Sequence, residues 1–218
     1  IIDSLGKHSS LAQILNETVV ELSPNSNSYI NPLDLDLRDT RNGQDALSNK
    51  IAFVIQICDY MHLHSTFPSS LSAVDKSLIC LCVEDLYAPY LKYLKTHHLQ
   101  IDQKKCPTLL DFYKLLEIKV KEYNINDTLL PDVLEPYLKY FTDKTNISFN
   151  NQMILFDLFD LPSVDKTLLS YCCQEFINTK NFQNIENNQV TDLYIDGFDP
   201  SDEIRSAEYF YDLWTRYK

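Results

Sequence analysis

Met153-Ile154-Leu155-Phe156-Asp157-Leu158-Phe159 decides the fold class of this chain. The run is apolar throughout except for one acid. A strand with one wet face alternates apolar and polar side chains. An unbroken apolar run suits a strand covered on both faces, as in a parallel sheet. Downstream, Leu169, Cys172 (or Cys173) and Phe176 predict a helix with one inward face. A polar, Asn-rich linker is expected from Asn178 to Gln189. Val190-Thr191-Asp192-Leu193-Tyr194-Ile195-Asp196 predicts a second strand that ends on an acid. Ser201 then caps a last helix with Ile204, Ala207, Tyr211 and Trp214 inward.

Upstream of the deciding run, residues 44–141 read as helix. Leu47, Ile51, Val54, Cys58 and Met61 form one apolar stripe, and the first four are expected to be among the least accessible residues. Ile79, Cys82 (or Val83), Leu86 and Tyr90 continue the pattern, with Pro89 kinking or ending that helix. Pro107-Thr108-Leu109-Leu110-Asp111 has the spacing of a capped helix start, and Leu109, Phe112, Leu116 and Val120 are its core face. Leu130, Leu134, Tyr137 and Phe141 make a fourth stripe, interrupted by Pro136. Before this block lies a polar loop from Ser23 to Thr40, a β-branched strand Thr18–Leu22, a short helix His8–Leu15 and a strand end at Ile1-Ile2-Asp3. The fold class is therefore α/β, with a mostly parallel sheet built from residues 1–40 and 142–218 and an all-helical insertion at 41–141.

Composition narrows the function. The formal net charge is −12, so the overall field repels phosphate backbones. Nucleic acid is then met only indirectly, through a local patch or a partner. No apolar run approaches the roughly eighteen residues of a membrane span. Five of the six cysteines sit in apolar helical patterns, as reduced, buried cytoplasmic thiols do. Glycine is confined to Gly6, Gly43 and Gly197, too few for the usual phosphate loop. The start at an apolar Ile1 without Met reads as a piece of a longer chain.

Asp196 is the sharpest chemical signal. An acid at the carboxyl end of a buried strand stands where open α/β sheets bind ligands, and such an Asp can hold the Mg²⁺ of a bound nucleotide. The bland alternative is a solvated Asp-Gly turn at Asp196-Gly197. Asp157 and Asp3 are acids in comparable positions, with capping or ion pairing as the plainer role for Asp157. Leu5-Gly6-Lys7-His8 lacks the leading glycine and the hydroxyl of a phosphate loop. His62-x-His64 and Cys80-x-Cys82 have poor zinc spacing, because Cys80 and Cys82 fall on different faces of a helix. The aromatic cluster Tyr209, Phe210, Tyr211 and Trp214 has no basic interleaving and reads as a helical core face.

Taken in order, these stretches resemble the P-loop ATPases of conjugative transfer and type IV secretion, the TraC/TraG-like family. The resemblance rests on Glu21-Leu22-Ser23-Pro24, on Tyr29-Ile30-Asn31-Pro32-Leu33-Asp34, on Thr145-Asn146 through Asn150-Asn151, and on Ile154-Leu155-Phe156-Asp157-Leu158 with Leu161. It continues through Tyr194-Ile195-Asp196-Gly197-Phe198 and through Ala207, Leu213, Trp214 and Arg216. It implies a partial P-loop NTPase core of RecA-like type carrying a large all-helical insertion. ATP and Mg²⁺ are the family's cofactors. Asp196 would be the Mg²⁺-associated acid and Asp3 the early strand-end acid at the nucleotide. Gly197 stands where the family's catalytic Glu belongs, and Ser4-Leu5 replaces the Pro-Glu after Asp3, so no catalytic residue is assigned. The phosphate-loop strand is expected before Ile1, and the Gln sensor and Arg finger after Lys218.

The resemblance further implies partners: other subunits of a secretion or conjugation complex, further copies in an oligomer, and peripheral contact with an inner-membrane channel from the cytoplasmic side. A non-catalytic helical interaction module is the alternative. A sheet lacking neighbouring strands should leave open edges and uncovered apolar surface near Phe156, Leu158, Leu193 and Ile195.

Overall fold

The computed structural model describes residues 1–8, 14, 18–37, 39, 44–97, 106–147 and 154–184. The run that decides the fold class supplies the central strand. Strands β1 (Ile2–Asp3), β2 (Thr18–Glu21) and β3 (Ile154–Asp157) lie parallel in the order β1-β3-β2. Ile154, Leu155 and Phe156 are all buried, as a strand between two others requires. Phe156 and Leu158 are enclosed, which corrects the expectation of uncovered apolar surface there: flanking strands and a following helix cover them. Leu193 and Ile195 lie outside the described residues, as do the strand expected at 190–196, the capped helix after it and most of the helix expected at 8–15.

Between β2 and β3 come helices α1 (Ala46–Leu63), α2 (Ala73–His97), α3 (Leu109–Glu122) and α4 (Leu130–Leu134), then a 3-10 turn, Glu135–Tyr140. After β3 comes α5 (Ser163–Asn184). This is the expected α/β architecture with a parallel sheet and a long helical interruption. At the start of α3, Thr108 and Asp111 form the reciprocal capping box that their spacing predicts. Leu109, Phe112 and Leu116 are fully buried, and Val120 packs at the margin.

Two details depart from expectation, and a third narrows one. On α1, Val54, Cys58 and Met61 are buried, but Leu47 and Ile51 are only half-buried. The inward face is rotated so that Asn49, Lys50 and Phe53 enter instead, because Lys50 has an ionic partner inside. Of the two outcomes expected of Pro89, a kink or an end, the end is excluded, for α2 continues to His97. The linker expected from Asn178 is helical as far as Asn184: α5 runs on past Phe176, with Ile177 and Thr179 buried.

The loop after β2 is polar in composition but buried from Ile30 to Asp36. Asn31 organises it. Its side-chain amide donates to Asp34 Oδ1 at 3.0 Å and to the Pro107 carbonyl at 2.9 Å, while its own N–H donates to Thr145 Oγ1 at 2.8 Å. Buried Tyr87 on α2 donates its hydroxyl to the Leu33 carbonyl. Asn31 and Tyr87 thus supply part of the hydrogen bonding of a segment whose backbone is withdrawn from water, and Lys50 on α1 supplies the Pro32 carbonyl.

The cysteines are free thiols, and all but Cys80 are buried. Burial pushes the Cys82 thiol up to about 12 and the Cys106 thiol up to about 11. Cys58, Cys172 and Cys173 are also pushed up by burial. The thiolate is the reactive form, and each unit of upward shift lowers it about tenfold at neutral pH. In the native protein at pH 8, an aromatic disulfide reagent should therefore modify Cys80 first and the five buried thiols only as the protein opens. Rapid titration of all six without denaturant would contradict this packing.

Candidate functional site

Ligands of open α/β sheets bind beyond the carboxyl ends of the strands. At that end the register aligns Asp3, Asp157 and Glu21 across β1, β3 and β2. Adjacent strands lie about 4.8 Å apart, so the acids form one row. The preceding row, Ile2, Phe156 and Val20, is buried, and alternation along each strand turns the acids to the opposite face. Phe156 meets Phe176 of α5 edge to face, with ring centroids 6.0 Å apart, and this contact anchors the row.

Asp3 is fully buried and folds back on the loop that follows it. Its Oδ1 accepts the N–H groups of Leu5 at 3.2 Å and Lys7 at 3.1 Å, and its Oδ2 accepts that of His8 at 2.8 Å. Gly6 permits this turn with φ +70°. A Cβ there would stand 2.8 Å from the Phe159 ring, so only glycine allows the loop to lie against that ring. The Lys166 ammonium donates to the Ser4 carbonyl at 2.9 Å and sits 5.3 Å above the Phe159 ring centre. The loop is thereby held from the strand side by Asp3 and from the α5 side by Lys166 and Phe159. Lys166 and Phe159 carried no sequence signal, because their targets are a backbone carbonyl and a glycine more than a hundred and fifty residues away.

Backbone N–H groups gathered around an anion make a phosphate cradle. In this loop the anion is the chain's own carboxylate. Asp157 Oδ1 accepts the Phe159 N–H at 3.0 Å in the manner of a turn cap, and Glu21 Oε1 accepts the Ser23 hydroxyl at 2.9 Å. Asp196 and Gly197 lie outside the described residues. The described residues at the sheet end do not fit a nucleotide with its Mg²⁺: the N–H groups of Leu5, Lys7 and His8 already serve Asp3. Among the described residues, no three His, Cys, Asp or Glu side chains are placed to hold a metal ion.

The His and Cys pairs are accounted for locally. The Nδ1–H of His62 donates to the Ser69 carbonyl at 2.8 Å, and that of His64 to the Tyr60 carbonyl at 2.9 Å. Cys82 is buried while Cys80 is half-buried on the next face.

No protein-family model matches the sequence, and no curated protein matches it. Among solved structures the chain is similar to VirB4 of Thermoanaerobacter pseudethanolicus, with a TM-score of 0.64 and 16% identity. The overlap takes in 84% of this chain and 69% of that one. A likeness at this identity speaks to the fold.

Proposed function

We propose that this chain is the core of a type IV secretion or conjugation ATPase relative that keeps the motor scaffold and does not itself hydrolyse ATP. The observation that carries the reading is the order of parts. A parallel β1-β3-β2 sheet is interrupted between β2 and β3 by a long helical block, and the sequence resemblance runs through the same segments in the same order. The likeness to VirB4 supports the scaffold half of the proposal. The self-filled loop after Asp3 and Gly197 at the position of the family's catalytic Glu support the other half.

In this reading Asp196 keeps a place near any bound nucleotide, and Asp3 acts on its own loop rather than on phosphate. The protein works among other subunits of a secretion or conjugation complex, as an oligomer on the cytoplasmic side, in peripheral contact with an inner-membrane channel. Nucleic acid is met only through those partners. No helix among the described residues is long and apolar enough to cross a membrane.

A phosphate-release assay with ATP and Mg²⁺ on the 218-residue chain should stay at the blank rate. Asp196→Ala should change nothing, and Gly197→Glu alone should restore nothing, because a water-orienting Glu is idle without a cradle for the β- and γ-phosphates. Turnover above blank that is lost in Asp196→Ala would overturn the reading. The alternative, a helical interaction module without nucleotide chemistry, draws on the open groove described next. Equilibrium binding of a fluorescent ATP analogue separates the two: the module predicts none, and any affinity of the motor relative must come from residues other than the self-filled loop after Asp3.

A further inference from the structure

Two concavities adjoin where the first turns of α2 pass the segment after α3. One, of about 290 Å³, is lined by Val74, Leu78 and Leu81 of α2 and by Tyr123 and Ile125. The other, of about 590 Å³, includes His62, Asp75, Asn124, Asp127 and Thr128 in its walls. Val74 and Ile125 belong to both, so the two form one groove with an apolar half and a polar half. In the apolar half Val74 is 54% exposed, Tyr123 50% and Leu81 43%, and nothing among the described residues covers them. Asn124, in the wall of the polar half, takes φ 51° just after α3, a left-handed turn out of the helix.

Among the described residues, the polar half carries the carboxylates of Asp75 and Asp127 beside the His62 imidazole. Asp75 is buried, and its donors are neutral: the Ser72 N–H at 3.1 Å, the Ser72 hydroxyl at 2.6 Å and the Thr128 hydroxyl at 2.6 Å. Burial pushes the Asp75 carboxyl up, but those hydrogen bonds and nearby His62 outweigh it and hold it below its ordinary value. It is therefore ionised in the cleft. Asp127 adds a second carboxylate at the exposed rim. Among the described residues, no Lys or Arg lines either half. Lys119, whose ammonium lies 5.5 Å from the Tyr123 ring centre, is held by Asp85 at 2.9 Å and Glu122 at 3.6 Å.

We propose that this groove docks a segment of a partner polypeptide that places apolar side chains beside an Arg or Lys. The apolar side chains fill the Val74–Leu81–Tyr123 half, and the cation meets Asp75 and Asp127. Charge complementarity selects this occupant. A phosphate-bearing ligand is repelled by both carboxylates, and a second copy of a chain with net charge −12 brings the wrong sign. The proposal does not depend on nucleotide chemistry at the sheet.

The test uses two acetylated, amidated helical peptides in about 150 mM salt, a concentration at which long-range attraction is screened. Each carries two leucines on one face, followed by two arginines in one peptide and two glutamates in the other. Amide shift mapping with the arginine peptide should move Val74, Ser77, Leu81, Ile125 and Asp127. Leu81→Asp, a change on a half-exposed side chain, should weaken the peptide at least tenfold, and Asp127→Asn about threefold. Asp143→Asn, which removes an equal charge elsewhere, should have no effect. Three results would each overturn the proposal: equal binding of the glutamate peptide, shifts spread over the acidic surface with Asp143→Asn as damaging as Asp127→Asn, or no shifts at millimolar peptide. Sedimentation that shows dimers lost in Leu81→Asp would assign the groove to a second copy instead and would also overturn it.

Discussion

Lys50→Met should lower the unfolding free energy by about 3–5 kcal/mol, as is typical when one partner of a buried ion pair is removed. The Lys50 ammonium and Glu175 Oε1 are 2.6 Å apart, with side chains 2% and 6% exposed. Lys50 also donates to the Pro32 carbonyl at 3.2 Å and lies 5.1 Å over the Phe53 ring centre. The pair joins α1 to α5 and so ties the helical block to the helix that follows the central strand. With Met at position 50, Glu175 would stay buried and lose the Lys50 cation. The cost of keeping a carboxylate buried after that loss, rather than the lost attraction itself, accounts for most of the effect. Lys50→Met combined with Glu175→Met should therefore recover most of the loss, since the double variant removes the buried carboxylate along with its cation. Urea unfolding of the two single variants and the double variant measures the coupling directly. A single variant within about 1 kcal/mol of the parent would mean that water reaches the pair and that α1 and α5 are not clamped here.

The same pair shows where the sequence was legible and where it was not. The central strand could be read from Ile154 to Asp157 because continuous apolar character is a local property of a doubly covered strand. The capped start of α3 could be read because Thr108 and Asp111 act on each other across three residues. Lys50 could not be read. On a helix, a Lys among Asn49 and Gln56 belongs by pattern to the wet face, and the acid that draws it inward is 125 residues away. That long-range partner displaced Leu47 and Ile51 from the centre of the buried face. The loop from Ile30 to Asp36 misled in the same way: its Asn and Asp side chains suggested water, yet they serve backbone groups and one another inside the protein. Pro89 left a kink or an end open, and α2 carries it without ending. At the sheet end, Asp3 was legible as a strand-end acid, but the destination of its carboxylate depended on Gly6, Phe159 and Lys166 together.

Asp3→Ala should destabilise the protein by about 2–4 kcal/mol. A buried carboxylate that accepts several backbone N–H groups forms charge-assisted hydrogen bonds, each worth roughly 1.5–3 kcal/mol, and removal leaves donors without an acceptor. The loss stays below the simple sum, because part of loop 5–8 is exposed and its N–H groups can turn to water once released. Asp3→Asn should fall between, since its amide keeps one acceptor oxygen and loses the charge. Gly6→Ala should lower stability in the same segment, through the strained φ and the 2.8 Å approach to Phe159. If Asp3 instead serves a bound nucleotide, the pattern inverts. Its replacement would then leave the urea midpoint of the ligand-free protein nearly unchanged and would weaken binding of an ATP analogue. Both can be measured on one preparation of each variant, so a single comparison decides whether the acid at the end of β1 belongs to a ligand or to its own loop. The hydrogen bonds to Leu5, Lys7 and His8 predict the loop: an earlier midpoint in Asp3→Ala, with amide exchange at residues 5–8 accelerated before the rest of the sheet opens.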